Sequence, residues 1–139
     1  MRRSAKFRST AAAAVVLLAL AGGSAVGTAV AGAKTKPHLV VTPVSGLKNG
    51  SKVRVSGTGF TPKDTVYVVE CLANATGSTG CNIAGAVPVT ISAKGVLPVT
   101  KFTVTTGTVG NGTCGTKASN LKSCAISAGN ATGGDSAVA

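Results

Sequence analysis

The chain has 139 residues, with 14 Lys and Arg against 3 Asp and Glu, a net charge of +11, one His and no Trp. That length holds one domain and leaves no room for two cores. One histidine and three acids also leave little from which to build acid–base catalysis, so the composition reads as non-enzymatic.

The chain opens with the pattern of an export signal. Arg2, Arg3, Lys6 and Arg8 form a basic start, Ala11 to Leu20 is apolar, and Ala21 to Val30 loosens into small residues. Both Ala29-Val30-Ala31 and Ala31-Gly32-Ala33 fit a cleavage site, so cleavage is expected after Ala31 or Ala33. The apolar part is shorter than the roughly 20 residues of a membrane-spanning helix. The expected organisation is a signal peptide over 1–33 and one secreted domain over 34–139. The exported part stays basic, which favours anionic partners such as nucleic acid, lipid head groups or an anionic cell-wall polymer, although no block of adjacent Lys and Arg survives cleavage.

Beyond the signal, apolar residues recur with period two. The alternation predicts strands over Leu39–Thr42, Lys52–Thr58, Thr65–Cys71, Val87–Ser92, Val96–Thr105 and Cys124–Ser127. Asn49-Gly50 marks a tight turn, Pro62-Lys63-Asp64 breaks the chain before the third strand, and Ala93-Lys94-Gly95 separates the fourth from the fifth. Val, Thr and Gly oppose helix, and strands at this spacing indicate an all-β sandwich of two antiparallel sheets. Phe102 reads as core.

Cys71, Cys81, Cys114 and Cys124 all lie in the exported part, and an even count there reads as disulfides. Three pairings are open; the simplest joins the near neighbours. A zinc site would bring ligands in closer pairs than these, so no metal is expected. His38 sits on the N-terminal arm as an exposed linker residue, Asp64 lies in a turn and Glu70 at a strand end. Gly57-Thr58-Gly59 is followed by Phe60-Thr61-Pro62 rather than by a helix, so it is a turn and not a phosphate loop. No catalytic residues are assigned.

Thr42-Pro43-Val44-Ser45-Gly46-Leu47-Lys48-Asn49-Gly50, followed by Val53-Arg54-Val55-Ser56-Gly57-Thr58-Gly59, is more specific. Next come Val66 to Val69, Glu70-Cys71, Cys81-Asn82, Thr113-Cys114, and Cys124 leading into Gly129-Asn130. Together, from Leu39 to Ala139, these resemble the neocarzinostatin family. The resemblance implies a seven-stranded immunoglobulin-like antiparallel sandwich with local disulfides Cys71–Cys81 and Cys114–Cys124. It implies a cleft holding a non-covalent enediyne-type chromophore, with no cofactor required. The apoprotein shields that hydrophobic small molecule, and the released ligand acts on DNA, an antimicrobial or defence role. Carried over, the cleft takes Cys71 and Cys81 as its floor, with Leu72, Ala73 and Ala86 beside them and Tyr67 as a wall; Tyr67 and Leu72 read equally well as core. A monomer is expected.

The chain departs from the family pattern in several places. Ala73 and Ala86 stand where the family has bulky aromatics, and Thr105–Thr113 is short, Gly-rich and without an aromatic. Ser136 to Ala139 begins the last strand and stops, so that strand reads as truncated and prone to fray. These departures support an alternative: a cell-envelope structural or adhesion module that has lost its chromophore.

Overall fold

The computed structural model describes residues 35–115 and 123–139; the expected signal peptide lies outside the described residues. Among the described residues, nine strands run in chain order: β1 His38–Thr42, β2 Lys52–Thr58, β3 Thr65–Leu72, β4 Val87–Thr90, β5 Leu97–Thr103, β6 Gly107–Val109, β7 Gly112–Cys114, β8 Cys124–Gly129 and β9 Ser136–Val138. Seven of them form two antiparallel sheets, ordered β1-β2-β5 and β4-β3-β8-β9, and β6 and β7 make a separate hairpin. The sandwich expected from the alternation is the observed architecture.

Alternation sets which side chains enter. In β2, Val53 and Val55 point inward while Lys52 and Arg54 are exposed. In β3, Val66 and Val68 are fully buried. The core joins Leu39, Val53, Val55, Leu97 and Phe102 from one sheet to Val66, Val68, Val89, Ile126, Ala128 and Ala137 from the other. Each large aliphatic buried here contributes roughly 1.5–3 kcal/mol. Phe102 belongs to this core, as expected.

Leu97 and Phe102 both point inward although they are five residues apart, which strict alternation forbids. The register resolves this. Val55 pairs with Thr100 but Gly57 pairs with Leu97, so β5 carries one extra residue across that step. Gly57 also lets β1 close in, since a Cβ there would sit 2.5 Å from the His38 carbonyl oxygen. His38 is exposed, but it opens β1 rather than lying in a linker.

Two sequence expectations change. Thr105–Thr113 is not a plain loop, because Gly107–Val109 and Gly112–Cys114 pair as β6 and β7. The last strand is short, as expected, but it is paired along its whole length on one side. β9 pairs with β8 from Ser136 to Val138, and Ala139 then exchanges both backbone hydrogen bonds with Ile126, at 2.9 and 3.1 Å.

One end of the sandwich is closed by polar side chains. Asp135, 5% exposed, accepts from the Thr61 backbone N–H and from the Thr61 hydroxyl, so the β8–β9 turn is held to the β2–β3 connection. Asp64 accepts from the Asn130 side-chain amide at 2.8 Å, and Asn130 Oδ1 accepts from the Gly134 N–H at 2.9 Å.

Candidate functional site

Because Val66 and Val68 face the core, Tyr67, Val69 and Cys71 occupy the opposite, outer face of the four-stranded sheet. Tyr67 is 42% exposed, and its register neighbours are Pro88 on β4 and Gly129 on β8. Glycine brings no side chain to crowd the ring. Cys71 is bonded to Cys81, with 3.9 Å between their Cα atoms, and the Asn82 N–H donates to the Glu70 carbonyl at 2.8 Å. The disulfide therefore extends the edge of this sheet. A single turn, Ile83–Gly85, follows, capped by the Asn82 side chain, and delivers Ala86 to the start of β4. Val87 pairs with Val68, so Ala86 enters beside Val69.

Of the six cleft residues expected from sequence, Tyr67, Cys71, Cys81 and Ala86 thus share one region of the outer face. Leu72 and Ala73 lie past the disulfide, where they border a groove with Asn74, Thr79, Asn111 and Thr113. Neither Tyr67 nor Leu72 belongs to the core cluster. Leu72 packs against the backbone of β7, where a Cβ on Gly112 would come within 2.7 Å of it.

The β6–β7 hairpin, missed in the sequence, builds the other side of that groove. Its tip lies against the Cys71–Cys81 loop, with the Asn111 N–H donating to the Thr79 carbonyl at 3.0 Å. Gly110 has φ +54°, and a Cβ there would sit 2.4 Å from backbone atoms of Thr79 and Gly80. Only glycine permits so close a contact. Val69, Cys71, Val109 and Cys114 are buried as well, outside the main core. The sequence did signal the hairpin, since Gly110-Asn111 is a two-residue turn between Val109 and Gly112.

The second disulfide is Cys114–Cys124. The Glu70 carboxylate and these two sulfurs lie within 4.8 Å of one another. The sulfurs are bonded to each other, so they offer no thiolate to a metal.

The chain matches the model of the neocarzinostatin family over residues 39–139. It belongs to that family. The C-1027 antitumor antibiotic apoprotein of Streptomyces globisporus is 34% identical over 128 residues, covering 86% of this chain and 83% of that protein. Macromomycin of Streptomyces macromomyceticus is 41% identical over 59 residues, so the match spans 42% of this chain and only 41% of the relative. Actinoxanthin of Streptomyces globisporus is 34% identical over 94 residues, 68% of this chain and 59% of the relative. A solved macromomycin structure superposes with a TM-score of 0.57 at 33% identity, covering 74% of this chain and 95% of that one. The family fold is therefore present, sandwich and both local disulfides included.

Proposed function

We propose that this protein is a secreted, non-enzymatic carrier of a hydrophobic small molecule of the enediyne-chromophore type, held without a covalent bond. The observation that carries this reading is the exposed Tyr67 ring on the same sheet face as the Cys71–Cys81 disulfide, in a chain of a family that includes an antibiotic apoprotein. Tyr67 supplies a flat apolar surface for stacking. The disulfide supplies a rigid floor. Ala86 and Ala73 leave open volume where larger side chains would fill it, and Leu72 bounds the margin. Burial of the ligand shields it, and DNA is reached only through the released molecule. Two disulfides suit an oxidising compartment, which fits export by the 1–33 signal.

Tyr67 is the only tyrosine and there is no tryptophan, so intrinsic emission reports on this face alone. Titrating 1-naphthoate into the purified, oxidised protein should quench Tyr67 emission saturably at micromolar protein. Tyr67→Leu, read by calorimetry, should weaken binding by roughly three- to tenfold, the stacking share of an aromatic contact. Absence of saturable quenching overturns the carrier reading.

A further inference from the structure

The sandwich has an unfilled end. Opposite the Asp135 corner, a cavity of about 580 Å³ opens between the β1–β2 connection, the Val104–Thr106 segment and the start of β8. Val41, Leu47, Val104 and Ile126 give it apolar walls, and Cys114–Cys124 borders it. Volumes of roughly 300–1,000 Å³ are typical of small-molecule sites.

Glu70 lines this cavity. It is 3% exposed, and its Oε2 accepts from the Thr105 backbone N–H at 2.8 Å. Burial pushes its pKa up, with the Thr105 hydrogen bond pulling the other way. A carboxylate in such surroundings is costly unless a cation meets it. It is the only titratable side chain among the described lining residues. Apolar walls with one buried acid complement one chemistry: an apolar body that ends in an ammonium group.

We propose that this cavity is a second small-molecule site, taking an apolar molecule with a protonated amine that donates to the Glu70 carboxylate while its body packs on Val41, Leu47 and Ile126. The site is separate from the outer face. Glu70 and Tyr67 are three residues apart on β3 and so project to opposite sides of the sheet.

Three naphthalene probes that differ in charge test the proposal on the purified, oxidised protein: 1-naphthylmethylamine, its near-isostere 1-naphthalenemethanol, and 1-naphthoate. Methyl NMR locates each probe. The amine should shift the methyls of Val41, Leu47 and Ile126 and bind roughly tenfold tighter there than the alcohol, the gain expected of one charge-assisted hydrogen bond. Glu70→Gln should erase that preference, weakening amine binding until it falls within about twofold of alcohol binding. Ser45→Arg, an exposed change at the cavity rim, should reproduce the loss through charge repulsion and serves if Glu70→Gln fails to fold. Equal binding of amine and alcohol overturns the proposal, as does a preference that survives both variants or amine shifts confined to the Tyr67 face. Naphthoate quenching of Tyr67 is a separate readout, so failure here and failure of the carrier reading remain distinguishable.

Discussion

The two ends of the sandwich each bury a carboxylate, and they treat it differently. Asp135, 5% exposed, meets two donors from Thr61, and the turn that carries it is held by Asn130. Glu70, 3% exposed, has one backbone donor among the described residues and an apolar cavity beside it. Burial alone therefore does not say what an acid is for. An acid that takes donors on both oxygens from one neighbouring segment ties chain segments together, whereas one that faces open volume can serve a ligand.

Removing Asp135 should break the contrast most severely. Asp135→Ala leaves the Thr61 N–H and hydroxyl without their acceptor, and it should lower stability by roughly 2–4 kcal/mol. Urea melting of the oxidised protein checks this; a midpoint within error of wild type would mean the corner is not a fastening.

A smaller effect is expected at the open end from Gly110→Ala. Its positive φ and the backbone contact at Thr79 and Gly80 should cost about 1–3 kcal/mol of local strain. The hairpin amides should lose hydrogen-exchange protection while those of β2 and β3 keep theirs. Uniform loss of protection would show instead that the hairpin and the sandwich unfold as one unit.

Glu70→Gln should act in the opposite direction to Asp135→Ala. The amide oxygen can still accept from Thr105, while the charge is gone. Folded Glu70 holds its proton more tightly than unfolded Glu70, so the folded state binds more protons between the ordinary glutamate value and the raised one. Wild-type stability from this group thus falls as pH rises through that window. The variant should melt at higher urea at neutral pH, and the gain should vanish below the carboxylate range. An unchanged difference across pH would show that Glu70 does not titrate as argued. Val44→Thr is the mildest change: Val44 is 76% exposed at the cavity rim, and the unfolding free energy read from urea melting should move by less than about 0.5 kcal/mol.

Legibility in the sequence followed the same divide. Strands with a clean two-residue period, such as Lys52–Thr58, showed their inward face directly. The inward pairing of Leu97 with Phe102 did not show, because a bulge shifts parity and depends on the partner strand. The residues of the outer face could be named from the resemblance, since Tyr67 and the cysteine spacing are local features. Glu70 was legible only as an acid at a strand end. Its burial comes from Val104–Thr106 and the second disulfide, which are distant in sequence. The hairpin was passed over because its strands are three residues long, too short for alternation to register, although its turn was in plain view.

The Gly110 contact pins the tip of the β6–β7 hairpin to a covalently closed ring, the Cys71–Cys81 loop. A bond that only reduction breaks closes the ring, whereas one backbone hydrogen bond and a close glycine contact hold the hairpin tip to it. Parting the tip therefore leaves the loop closed and the sandwich core untouched, an opening that is local rather than global.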